Sequence, residues 1–502
     1  MKKRRMIPML AALVCLIAIL AACGSEPEET TLPAASTQTT APTETTEPAV
    51  SWETNYLRLD EKVTLIGDTA EDHFVNAGKL KVFGSDIMRN QIKSVTFLDT
   101  LADIPSSAWD VSAVGNGSVM AWVKLNADLY DLYIAAEGGI NAGSACPSLF
   151  AGYTSMERID FNGSLHTNEA VDMTYMFMGC QSLTTLELNT FETSGVTDMG
   201  FMFYGCSALE NLDVYRFDTS DLISTYAMFS GCSSVKKLDL RGFRTAKVEN
   251  MAFMFSGCHK LENILVDENY FDTGAVRWMN NMFTGCKAMK ELDISYFRTN
   301  HVETMESMFH TCSTLEELTL PDSNTASLTN TAHMFQECTA LEKLNGLGNL
   351  NTVNVTNMSE MFHNCIALQT LDISELNMAN VENLHAMFRG CTGLESLTIG
   401  SLKTSKVKDM SYLFADCKKL NELIVSGLET GAVENMEAMF YGLAELDDLD
   451  LAALNTDQVT NMRAMFWDTP IVTADDVAHF NTEKVTDYRF FMNGEGWEYL
   501  FE

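Results

Sequence analysis

One motif returns every 26 residues for most of this chain. Aligned on the phenylalanine of a Met-Phe pair, the copies anchor at Phe177, Phe203, Phe229, Phe255, Phe283, Phe309, Phe335, Phe362, Phe388, Phe414, Phe440 and Phe466, with one spacing of 28 and one of 27. A weaker copy begins at Leu149-Phe150 and a half copy at Phe491-Met492. A fixed period over more than 300 residues constrains the fold more than any composition figure. Each unit is too short to bury its own apolar face, so neighbours must stack and share one core.

Each copy has two halves. Val196, Met199, Met202, Phe203 and Cys206 fall at i, i+3, i+6, i+7 and i+10, which predicts a short helix. Leu209, Leu212 and Val214 then set an L-x-x-L-x-L rhythm whose end has strand period. Helix, strand and turn in 26 residues predict an α/β solenoid: a right-handed, leucine-rich-repeat-like coil with a parallel β-sheet on one face and short helices on the other. Residues 145–490 hold thirteen repeats, and 491–502 form a C-terminal half repeat in which Trp497, Leu500 and Phe501 cover the last coil. Residues 51–144 read as a small β-rich cap built from KVTLIG, KLKVFG, IKSVTFLD, SVMAWVKLN and DLYIA. An uncapped end would leave strand edges open to association.

Residues 1–22 have the form of an export signal: a basic MKKRR, then the apolar MLAALVCLIAIL. Leu20-Ala21-Ala22-Cys23-Gly24 resembles the bacterial lipobox, which implies that Cys23 carries a lipid and ties the chain to a membrane. Residues 23–50 continue as a Thr/Pro/Glu-rich tether with too little apolar surface to fold. The formal net charge of −35 repels nucleic acid, so no nucleic-acid partner is expected.

Ten cysteines stand three residues after the anchor phenylalanines, from Cys180 to Cys417. No C-x-x-C pair is present, and a straight row of thiols cannot surround an ion, so no metal is expected. Bridges between neighbouring coils would pull parallel side chains from about 5 Å to about 3.8 Å at Cβ. The thiols are therefore expected to be reduced, small core groups. The methionines recur at core spacing. A threonine column (Thr193, Thr219, Thr245, Thr273, Thr299, Thr325, Thr404, Thr430, Thr456) precedes each Met-Phe half and suits helix capping or turn bonding, with glycan or ice-like binding as the other reading.

The copies resemble the BspA-like leucine-rich repeat surface proteins of bacteria, whose units read roughly V-T-N-M-x-x-M-F-x-x-C-x-x-L-x-x-L-D-L-S-x-F-D-T-S. VTNMSEMFHNCIALQTLDIS and VTDMGFMFYGCSALENLDV carry the likeness over about residues 145–502. It implies surface display and adhesion to an extracellular protein or glycan. A passive spacer or surface-layer component is the alternative, and a glycan-active enzyme in residues 51–144 is a third reading. No hydrolase, zinc-protease, Walker or dinucleotide signature is present, so neither an enzyme nor a cofactor is expected. The outward position of L-D-L varies along the chain. Glu187, Asp213, Asp239, Leu265, Asp293, Asp372, Ile424 and Asp450 are the candidate binding residues, with Leu265 and Ile424 as apolar anchors.

Overall fold

The structure is a computed structural model. It describes residues 52–58, 70–322, 324–400, 402–494 and 497–501. The lipobox, the tether and the KVTLIG stretch lie outside the described residues. Val50–Glu502 form one compact unit.

Repeat joins repeat through parallel backbone pairing. Lys237–Asp239 pairs with Asn263–Leu265; Glu291–Asp293, Glu317–Thr319 and Lys343–Asn345 form a three-stranded sheet; Thr370–Asp372 pairs with Ser396–Thr398. In every pair, equivalent positions of successive copies lie opposite each other, as in a repeat solenoid. The expected unbroken sheet is instead divided. The strands are two or three residues long, and the ladder is interrupted between residues 265 and 291 and between 345 and 370. These gaps coincide with the 28- and 27-residue spacings, where extra residues disturb the register. The ladder also breaks between residues 212 and 237, and nothing in the register explains that gap.

The expected helices are absent: among the described residues, the Met-Phe half is a chain of tight turns. Two residues per copy have left-handed backbone. One precedes the second methionine (Phe201, φ 58°; Ala227, φ 51°), and one precedes the cysteine (Gly205, φ 72°; Asp416, φ 59°). A right-handed helix cannot run through either. Met202 and Cys206 donate backbone N–H three residues back, to Met199 and Phe203. The N–H groups of Phe201, Phe203 and Gly205 instead donate to carbonyls of the next copy, on Tyr226, Met228 and Ser230. Three-residue turn periodicity and helical periodicity place the same side chains inward, which is why the sequence pattern reads as a helix. A second parallel ladder of single bridges runs at the Asn/Asp of V-T-N-M, from Ala145 through Asp172 and Asp198 to Asp487.

The interior repeats with the same regularity. Thirteen anchor rings, from Phe150 to Phe466, form a stack with neighbouring centroids 5.2–5.9 Å apart. Phe491 lies at 88° to Phe466 and ends the stack, with Trp497 and Phe501 packed against Phe491.

The cap is not purely β. Helix α1 (Ala70–Gly78) precedes strand β1 (Ile92–Leu98), then β2 (Trp109–Asp110), β3 (Met120–Asn126) and β4 (Leu129–Ala135). KLKVFG is not a strand; it is a turn that buries Val82 and Phe83. The sheet order is β2-β3-β4-β1 followed by Arg158–Asp160, the strand of the first repeat, which runs parallel to β1. The cap thus pairs the edge that the repeats would otherwise leave open. Buried Arg89 reinforces the junction, donating to the carbonyls of Ser148 (3.0 Å) and Ala151 (2.8 Å).

Candidate functional site

The strand half places the outward L-D-L residues in register, Asp239 beside Leu265, Asp293 beside Thr319 and Thr319 beside Asn345. Glu187, Asp213, Asp293, Asp372, Ile424 and Asp450 are exposed, and Asp239 and Leu265 are half-buried. Most of the aspartates also serve the fold. Asp213, Asp293, Asp372 and Asp450 each accept the backbone N–H two residues on, closing the turn after the strand. Asp239 does the same and also takes a forked bond from Arg241, whose guanidinium holds its carboxyl below the usual range. Turn closure therefore accounts for aspartate at this position, so the acids alone do not mark a binding face.

Leu265 differs from the freely exposed anchor expected of it. It lines a cleft of about 390 Å³ where the sheet is interrupted, with Ile264, Val266, Leu292, Phe271 and Phe297. Glu262, Glu291 and Asp293 rim it with Arg241, whose guanidinium is paired with Asp239. Ile424 is 61% exposed and lies outside these lining residues.

The cysteines and threonines are hydrogen-bonding rows. From Cys180 to Cys417, each repeat thiol donates to the anchor phenylalanine carbonyl of the preceding copy, at 3.0–3.3 Å. Thr469, at the cysteine position, donates its hydroxyl to the Phe440 carbonyl. Ten cysteines and Thr469 fill the slot with a small donor, whereas Leu443 fills it with a buried apolar side chain. The eleven described cysteines are unbridged and buried, and burial pushes thiols such as Cys312 up to about 12. The threonines do not cap helices. Thr219 donates to the Arg244 carbonyl (3.2 Å) and accepts the Arg244 N–H (2.7 Å), and Thr404 and Glu429 repeat the exchange. The buried column links copies and is not available to a glycan or ice.

The turn half carries the surface that sequence reasoning missed. With no helix there, the residue before the second methionine and the residue after the phenylalanine form two variable columns; Phe201, Tyr204, Tyr412 and Trp467 reach the surface, whereas Ala227, Ala386, Met178 and Ala415 are buried. Near the N-terminal end the first of these columns is aromatic, with Tyr175 stacked on Phe201 at 4.8 Å. Near the C-terminal end it reads Tyr412, Ala438, Ala464, Phe490. The two alanines floor a trough of about 460 Å³, walled by Tyr412, Tyr441, Trp467 and Phe490 and edged by Arg389, Asp416, Glu437 and Arg463. The Arg389 guanidinium lies 4.6 Å from the Tyr412 ring centroid. The Tyr412 hydroxyl donates to Glu437 Oε1 at 2.7 Å. Burial, then that bond, raises the phenol pKa, so Tyr412 stays protonated. The available signal was the variable pair of x positions in M-x-x-M-F-x.

Cys23 lies outside the described residues. Among those described, no helix is long and apolar enough to cross a membrane.

A leucine-rich repeat protein from Eubacterium ventriosum, known from its crystal structure, is similar to this chain at 15% identity, covering 64% of this chain and 80% of its own, with a TM-score of 0.27. No curated protein matches the chain significantly. Residues 145–267, 223–343, 262–365, 329–426 and 395–496 match the family described as "Mycoplasma protein of unknown function, DUF285". Those overlapping matches run through the repeats from Ala145 to the last complete copy, and the chain belongs to the DUF285 family.

Proposed function

We propose that this is a lipid-anchored bacterial surface protein of the BspA-like type, without enzymatic activity, whose repeats bind an extracellular protein or glycan. One observation supports the strand half as a contact surface: at the interrupted sheet, Leu265 and its neighbours leave an apolar cleft whose rim carries three acids and one arginine already paired with Asp239. Burial of such a cleft drives association, while the acids steer a basic partner and set its orientation. The lipobox likeness at Leu20–Cys23 supports the anchor. The right-handed coil expected of the repeats accords with parallel pairing between successive copies.

Two experiments test this reading. Labelling cells with an alkyne fatty acid should tag the wild-type chain and leave Cys23→Ser untagged; equal labelling removes the anchor. Leu265→Arg combined with Ile424→Arg should weaken binding to matrix proteins, mucin or bacterial glycans at least tenfold while the melting temperature holds. If the wild-type protein binds nothing across such a panel, the passive-spacer reading stands in its place.

A further inference from the structure

The trough on the turn half is built from a different set of residues than the strand-half cleft, and its chemistry is different. Three features define what it can hold. First, its backbone is closed: the N–H groups of Tyr412, Ala438 and Ala464 donate to the carbonyls of Glu437, Arg463 and Arg489 at 2.8–3.0 Å. A peptide could not add a strand here, so the commonest sequence-tolerant source of peptide affinity is missing. Second, its ring surfaces are accessible. Phe490 is 54% exposed, and Trp467 is half-buried with its ring 5.5 Å from Phe490 at 83°. Such surfaces gain by covering aliphatic C–H faces. Third, it offers unspent donors beside acceptors. Among the described residues, no hydrogen-bond partner takes the N–H fork of Arg389, and Arg463 makes only a 3.9 Å ion pair with Glu437. Glu437 and Asp416 supply carboxylate oxygens on the same rim; Glu437 Oε1 accepts from Tyr412 and Oε2 from Asn461, each with a further lone pair to offer.

Two arginines and two acids leave the rim balanced within a chain of net charge −35. The overall field repels polyanions, and the rim offers a polycation no net attraction. What remains is a neutral ligand with apolar faces and hydroxyls that both donate and accept. The volume falls within the roughly 300–1,000 Å³ of small-ligand sites.

We infer that the trough formed by Tyr412, Tyr441, Trp467 and Phe490, with Arg389, Glu437 and Arg463 on its rim, binds a short neutral oligosaccharide. The sugar's C–H faces lie on Trp467 and Phe490, the guanidinium forks donate to paired hydroxyls, and the Glu437 carboxylate accepts from another. The site does not depend on the strand-half contact, so either can fail while the other stands.

The test uses the full chain in a sugar-free detergent, titrated calorimetrically with cellotetraose, maltotetraose, mannotetraose and chitotetraose. At least one should bind saturably at one site. Trp467→Ala and Arg463→Met should each weaken it about tenfold or more, while Leu265→Arg leaves it unchanged. If Trp467→Ala fails to fold, Phe490→Ser and Arg463→Met carry the test, since both side chains are exposed and outside the core. Binding by none of the four sugars overturns the inference. So does affinity that survives these trough substitutions, or a trough that takes a peptide and no saccharide.

Discussion

Asp198 occupies a slot that Asn250, Asn330, Asn357, Asn383, Asn435 and Asn461 fill in other copies. Except at Ala145 and Trp278, the side chain in this slot is one that can offer an acceptor: Asp198 Oδ1 takes the Gly200 N–H at 2.7 Å, as Asn250 Oδ1 takes that of Ala252. A carboxylate does so but brings a charge. Burial, and then the nearby Asp172, raise the Asp198 pKa to about 6. In the unfolded chain it titrates near 4. The native state therefore binds the extra proton between these values. Stability is favoured below about 4 and falls as pH rises through about 6. Asp198→Asn keeps the acceptor and removes the charge. It should stabilise the protein at pH 7.5 by about 1 kcal/mol, less than a two-unit shift implies, because the side chain is only half-buried. Urea titrations of both proteins should converge at pH 4 and separate at pH 7.5; parallel curves at both would remove the account. The thiols make a second residue-scale case. With Cys312 and Cys391 held at about 12, almost no thiolate exists at pH 8. Native protein should react with a thiol reagent at only a trace of its denatured rate, and denaturant alone should expose all eleven described thiols. Release of two or three would mean bridges had formed. The packing role of these cysteines could be reasoned from spacing. Their phenylalanine-carbonyl acceptors lie 29 to 31 residues away and could not.

Among the elements, helix α1 shows how the cap grips the repeats. Its Phe74 lies against the glycine row of the first copies. A Cβ on Gly205 would meet Phe74 Cζ at 2.0 Å, and one on Gly179 would meet Cδ1 at 2.8 Å. One copy further on, Gly231 has only Gly205 backbone nearby, at 3.3 Å. All three glycines have positive φ. Gly231→Ala should therefore cost about 1–2 kcal/mol for its left-handed backbone. Gly205→Ala adds the collision with Phe74 and should displace α1 as well. Limited proteolysis should cut near α1 in Gly205→Ala and not in Gly231→Ala, and Phe74→Ala should recover part of the lost stability in the Gly205→Ala background. Equal behaviour of the two alanine variants would show that α1 does not rest on Gly205. Gly-Cys recurs in the sequence at these copies, so a backbone constraint was legible there. The helix expected over the same residues was not found, because a turn every three residues and a helical face give the same inward pattern.

At the scale of the molecule, the hydrogen bonds of one copy close on the next, so a whole copy is the unit that can be removed. Trp278 bridges Thr304, and Thr304 bridges Asn330. Excising residues 304–329 brings Trp278 opposite Asn330 with the phenylalanine stack one ring shorter. The shortened protein should stay folded and monomeric, with a cooperative melt slightly below the parent's, since stability in such stacks is roughly a sum over neighbours. Removing residues 51–144 should do the opposite. It strips β1 from Arg158–Asp160 and exposes a strand edge, and the product should aggregate in size-exclusion chromatography. A soluble truncated protein would show that the first repeat does not need the cap sheet.

The period and the inward Met, Phe, Cys and Leu positions were determined by the sequence alone. Each is a one-dimensional pattern that any stacked structure must satisfy to bury apolar surface. Tertiary structure decided what lies outside that pattern. Left-handed residues such as Phe201 and Asp416 turn a helical rhythm into turns, because N–H groups bonded to the next copy cannot also close a helix. The 28-residue copy opens the strand ladder beside Leu265. Tyr412, Ala438, Trp467 and Phe490 are spread over 79 residues of sequence, and stacking at a 26-residue period brings them to one trough. No window along the chain holds that neighbourhood, since it exists only between copies.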